Sequence, residues 1–162
     1  MASSVTAASL TVAIKETIKL NNVDRGSSAS YAQSGIGEVY NRITSVSTGG
    51  TDLIQFGATI GAGVLSTATS GAGKIDYLRI TNLDGANYID VTFSDAIAPA
   101  SAGRLFSVRL RPLRSLCFSG LEFSAADGGD ADNFIAAAGT IANIRATADT
   151  AACDVEVFVA SA

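Results

Sequence analysis

KIDYLRITNLDGANYIDVTFSD, residues 74–95, decides how this chain folds. Leu78 and Ile80 point to one side while Tyr77, Arg79 and Thr81 point to the other. Residues 82–87 carry turn formers, and beyond them Ile89, Val91 and Phe93 alternate with Tyr88, Asp90, Thr92 and Ser94. Period-two alternation on both sides of a turn is the mark of half-buried strands, because successive β side chains leave opposite faces. The stretch reads as a β-hairpin with one buried face.

The same grammar extends in both directions. Downstream, Phe106, Val108 and Leu110 alternate with Ser107, Arg109 and Arg111 until Pro112, which cannot donate to a ladder, stops the strand. Leu116 and Phe118 open another short strand. In the last strand Cys153, Val155, Val157 and Val159 face inward, and Asp154, Glu156 and Phe158 face outward. Upstream, LTVAIKETIKL (residues 10–20) reads as a long half-buried strand in which Glu16 is the only polar residue on the apolar face. A helix would also align Leu10, Ile14 and Ile18, but β-branched content and a missing cap decide for strand. Residues 1–9 read as a flexible arm, residues 21–28 as a turn or loop, and residues 57–73 as a loop around a short strand-like segment. Weaker strands are expected around Tyr31, over 38–46 and over 52–56, and a turn of helix over 134–138.

About eight or nine strands at this spacing predict an all-β, two-sheet antiparallel sandwich of jelly-roll type with little helix. One domain over 10–162 is expected after the arm, since no repeat or composition break divides the chain. At 162 residues it is long enough to bury a core without metal or disulfide. Cys117 and Cys153 each occupy an apolar slot, so buried free thiols are expected, with an inter-strand disulfide as the alternative. The start lacks the features of a signal peptide, and no run approaches the length of a membrane helix, so no membrane partner is expected.

Charge limits the partners. Eleven basic and fifteen acidic residues give a net charge of −4, the wrong sign for a protein that neutralises phosphates, so no nucleic-acid partner is expected. The distribution is uneven. Arg104, Arg109, Arg111 and Arg114 crowd one stretch, while the chain from Leu121 onward has seven acidic residues and only Arg145. Arg109 and Arg111 share the polar face of one strand, either pairing with Asp90 or Glu156 in the same chain or docking on an acidic neighbouring subunit.

Catalytic equipment is missing from the sequence. Histidine is absent, which removes the usual general base and the commonest metal ligand. Only three lysines exist, none in an S-x-x-K arrangement, and no G-x-S-x-G elbow occurs. SGAGKI fails as a phosphate loop because Ala68 stands at the first glycine and Ile75 follows Lys74. The Gly35/Gly37 and Gly61/Gly63 pairs lack a third glycine and read as turns. No tryptophan is present to stack a sugar. Asp127, Asp130, Asp132 and Asn133 form a weak calcium candidate whose spacing matches no EF-hand. No enzyme and no cofactor are expected.

YLRITNLDGANYIDVTF, RLRPLRSL and IRATADTAACDVEVFVASA, with LTVAIKETIKL more loosely, resemble small β-sandwich structural proteins of tailed-bacteriophage virions. Several proteins of that type serve as capsid decoration, or cement, proteins. The resemblance spans roughly residues 74–160 and rests on strand grammar. Leu113 departs from it, standing where such proteins often carry glycine after the proline. The resemblance implies a homo-oligomer, with a trimer as the expectation. It further implies attachment to the major capsid protein, a place on the capsid surface and synthesis in the bacterial cytoplasm. Interface candidates on that reading are Arg104, Arg109, Arg111, Arg114 and Phe158, with the N-terminal arm ordering on binding. A tail, fibre or baseplate component, or a carbohydrate-binding module, is the alternative.

Overall fold

The computed structural model describes residues 7–55, 65–66, 75–94, 104–119 and 143–161. All regular structure among them is β. The strands are β1 (Ala8–Lys15), β2 (Lys19–Leu20), β3 (Val23–Asp24), β4 (Ser28–Ile36), β5 (Glu38–Val46), β6 (Thr51–Gln55), β7 (Leu65–Ser66), β8 (Ile75–Asn82), β9 (Ile89–Ser94), β10 (Arg104–Leu110), β11 (Ser115–Ser119), β12 (Asn143–Ala148) and β13 (Cys153–Ser161). Two sheets face each other, one ordered β10-β9-β12-β6-β7 and the other β11-β8-β13-β5, antiparallel except for the short parallel pair β6–β7. The nine strands of these sheets match the expected sandwich.

The stretch that decides the fold is not a hairpin. β8 pairs with β11 and β13, whereas β9 pairs with β10 and β12, so the turn between them crosses from one sheet to the other. Hairpin and sheet crossing share one alternation pattern, since each requires a single buried face per strand. The connections β5–β6, β10–β11 and β12–β13 also cross, which makes the sandwich a jelly roll among the described residues.

Leu78 and Ile80 from one sheet meet Ile89, Val91, Phe93, Ile144 and Ala146 from the other, with Cys153, Val155, Val157 and Val159 completing the core. Each large apolar side chain fully buried here contributes about 1.5–3 kcal/mol. Phe93 anchors the centre, stacked on Phe106 at 4.3 Å and edge-on to Phe118 at 5.8 Å.

β1 is not a sandwich strand. It pairs only with β4, in a two-stranded ribbon from Ala8–Ile36 at its base to Lys15–Ser28 at its far end. Of its alternating apolar residues, Leu10 and Val12 pack with Ile36, Tyr77, Phe158 and Ala160 in a second, smaller cluster. Tyr77 and Phe158 belong to β8 and β13, so the ribbon covers part of the outer face of the four-stranded sheet. The strand ends before Glu16, which closes the ribbon instead: its N–H donates to the Ser27 carbonyl at 2.8 Å and its carboxylate accepts from the Ser27 hydroxyl at 2.7 Å. Beyond it, Asn21 and Asn22 at φ 52° and 61° turn the hairpin β2–β3. Ala8 and Ser9, expected within the arm, belong to a strand; residues 1–6 of that expected arm lie outside the described residues.

Candidate interaction surfaces

The arginine stretch separates into two behaviours. Arg109 donates from Nε and NH2 to both oxygens of Asp90 at 2.9 Å and lies over the Tyr88 ring at 3.8 Å. The Tyr88 phenol donates in turn to Asp149, and that bond to an anion is the main reason its pKa is raised. Arg109 is thus spoken for within the chain, by Asp90 rather than Glu156. Glu156 pairs with Arg79 at 2.8 Å instead. Arg79 was not singled out from sequence, although Arg79 and Glu156 both occupy outward alternation slots.

Arg111 lies beyond the end of β10, so it does not share a strand face with Arg109. Both Arg111 and Arg114 are exposed, and neither forms an ion pair among the described residues. The Arg104 side chain lies outside the described residues, as do Asp127, Asp130, Asp132 and Asn133 of the calcium candidate and residues 134–138 of the helical turn. Among the described residues, no group of three His, Cys, Asp or Glu side chains could hold a metal ion.

Between Arg111 and Arg114, whose NH1 donates to the Leu113 carbonyl at 3.3 Å, stands Leu113, at φ 56° and 62% exposed. A branched side chain in the left-handed region is uncommon and carries a strain of about 1–2 kcal/mol. The surrounding bonds impose it. Leu113 N–H donates to the Asp84 carbonyl at 3.1 Å, and Asn82 N–H donates to the Arg114 carbonyl at 3.0 Å. Asn82 is fully buried, donates from Nδ2 to the carbonyls of Asn87 (2.9 Å) and Leu110 (3.3 Å), and accepts from Asp84 N–H (3.0 Å). The Asp84 carboxylate accepts from the N–H groups of Asn87 at 2.6 Å and Ala86 at 2.7 Å, which hold its pKa below the ordinary value. Two sheet crossings are thereby locked together, with Arg111, Leu113 and Arg114 displayed on the outside.

Phe158 is not an exposed aromatic. It does face away from the main core, but the ribbon lies against it, Tyr77 meets it edge-on at 5.7 Å and the Arg79 guanidinium sits 5.8 Å from its ring centroid. Alternation along β13 assigns the side but cannot show a further layer of the same chain.

The cysteines are free. Cys153 is buried in the main core, and burial pushes its thiol pKa up, with Asp84, Asp149 and Asp154 adding to the rise. Cys117 is exposed rather than buried, since it pairs with Arg79 on the outer side of the edge strand β11.

Sequence reasoning missed the exposed apolar surface. Ile14, Ile18, Leu20 and Val23, at 50–60% exposure, cluster at the far half of the ribbon and its hairpin. Val39 and Ile43, at 57% and 61%, lie on β5, the edge strand of the four-stranded sheet. Their register partners are Ala160 and Glu156, which places them on the outer face beside the ribbon's own seat. Apolar alternation in β1 was visible, but nothing local to it distinguishes a covered stripe from a bare one.

No protein family model, curated protein or solved structure matches this chain.

Proposed function

We propose that this chain is a non-enzymatic structural subunit of a tailed-phage virion, acting as a head decoration protein that binds the major capsid shell. The observation that carries the reading is the Arg111–Leu113–Arg114 turn, where an exposed apolar side chain is held in a strained backbone between two cations that form no ion pair among the described residues. Strain of that kind persists where surrounding structure over-determines it, and it gathers at contact sites. A central apolar anchor with flanking arginines suits a subunit interface. The virion assignment itself is supported by the likeness of the strand runs to phage structural sandwiches and by the jelly-roll connectivity, a fold that viral capsid proteins use among many others. Repeated over a shell, individually weak contacts would oppose internal pressure through multivalency.

Co-sedimentation with purified empty capsids tests the reading. The wild-type chain is expected to bind in saturable fashion, and L113N or the pair R111E/R114E to bind at least about tenfold more weakly, a loss of about 1.4 kcal/mol. Absence of binding by the wild-type chain would reject it.

A further inference from the structure

We propose that the far end of the ribbon of one copy seats on the outer face of β5 of a second copy, so that this protein assembles with itself arm to sheet. This contact goes beyond the virion reading and does not depend on it.

Both halves of the contact are on the surface of one chain. The ribbon end presents Ile14, Ile18, Leu20 and Val23, and interleaved with them the exposed cations Lys15, Lys19 and Arg25, none in an ion pair among the described residues. The two carboxylates of the same segment are engaged locally, Glu16 by Ser27 and Asp24 by the N–H of Gly26 at 2.9 Å. The ribbon end is apolar and, with three cations against two carboxylates, carries a net charge of +1. The acceptor has the opposite charge. Val39 and Ile43 lie open on the outer face of β5, and on that face the exposed Asp154 stands across from Ser45, while Glu156 opposite Ile43 is balanced by Arg79, and Glu38 and Arg42 alternate to the other face. Asp154 has no ion-pair partner among the described residues. Apolar anchors thus face apolar anchors, and a segment of net positive charge faces the Asp154 carboxylate.

Neither surface covers the other within the chain, because all six apolar side chains are at least half exposed. A two-stranded ribbon is marginal in water by itself. Here its base is secured by Leu10 and Val12 on Tyr77, Phe158 and Ala160, which leaves its far end as a projecting arm whose apolar residues lack a seat. A nine-residue edge strand whose second edge has no partner among the described residues, with apolar side chains on its open face, is likewise a surface that proteins normally cover. Donor and acceptor patches differ: exchanged reciprocally about a two-fold axis the contact gives a dimer, and used head to tail it is heterologous and gives a ring.

Cross-linking within the full-length chain decides the matter. Two single-site proteins on a C117S background, L20C and I43C, are mixed and exposed to mild oxidant; the remaining Cys153 is buried and does not compete. The expected result is a disulfide-linked dimer of L20C with I43C, little L20C homodimer, and a wild-type mass by light scattering that is a multiple of 16.4 kDa. K15E/K19E is expected to weaken association about tenfold or more, and the further exchange D154K on the same chain to restore part of it. A monomeric wild-type protein, or an oligomer in which L20C and I43C do not link, overturns the proposal. So does a monomer whose arm becomes protected only on capsids or on anionic vesicles, which would assign the arm to those partners.

Discussion

The N–H of Leu113 donates to the carbonyl of Asp84 at 3.1 Å, joining the turn that leads into β11 to the turn that leads out of β8. Together with the bonds from Asn82 to the Arg114 and Leu110 carbonyls it links two sheet crossings and holds Leu113 in the left-handed region that its side chain disfavours. Glycine would be the residue chosen for the backbone alone. That leucine stands there puts the emphasis on what the side chain offers to the outside.

L113G separates the two roles. Removing the exposed isobutyl group relieves strain while adding chain entropy to the unfolded state, so stability measured by urea unfolding should be unchanged or higher by up to about 1 kcal/mol. Capsid binding should fall at the same time. A loss of more than about 2 kcal/mol in stability would mean that Leu113 serves the fold rather than a partner.

Asp84 makes this corner sensitive to acid. Its folded carboxyl pKa lies below the ordinary value because the N–H groups of Asn87 and Ala86 favour the ionised form. A depressed folded pKa gives stability that is fully present above the unfolded value of about 4 and is lost as pH falls through the lower folded value. Thermal melts should therefore show D84A less stable than wild type at pH 7, and the gap should narrow steadily below about pH 4. A gap independent of pH would contradict the assignment.

The two thiols should differ in reactivity. Cys117 is exposed, whereas Cys153 is buried with a raised pKa. Titration with a thiol reagent is expected to modify one cysteine in the native protein and two after denaturation. Two fast thiols in the native state would contradict the packing of β13.

Gly50 is required by its surroundings. It sits at φ 88°, and a Cβ there would run into the Arg145 guanidinium, which donates to the carbonyls of Gly49 (2.8 Å) and Gly50 (3.0 Å) and pairs with Asp52 at 2.9 Å. G50A combines backbone strain with displacement of that ion pair and should cost about 1–3 kcal/mol by chemical denaturation.

Much of the fold was legible because strand alternation is local. Residues 38–46 form β5 as expected, and the inward set of β13 from Cys153 to Val159 is the set that builds the core. What alternation does not encode is the partner of each strand. Residues 74–95 carry the same pattern whether β8 and β9 pair or face each other across the core, so the crossing was misread as a hairpin. Phe158 was placed on the correct side and still misjudged, since its cover comes from Leu10 and Val12, far away in sequence. Of the arginines, Arg109 found its expected acid in Asp90 because the two are cross-strand neighbours. Leu113 was visible as a departure from glycine, but its strained φ and exposure come from Asn82 and Asp84.

Cryo-electron microscopy of purified phage particles is the sharpest check on the proposed head-decoration role. The account predicts jelly-roll density on the outer surface of the head, with the Arg111–Leu113–Arg114 turn against the major capsid protein. Density on the tail or baseplate, or a particle without this chain, would contradict it.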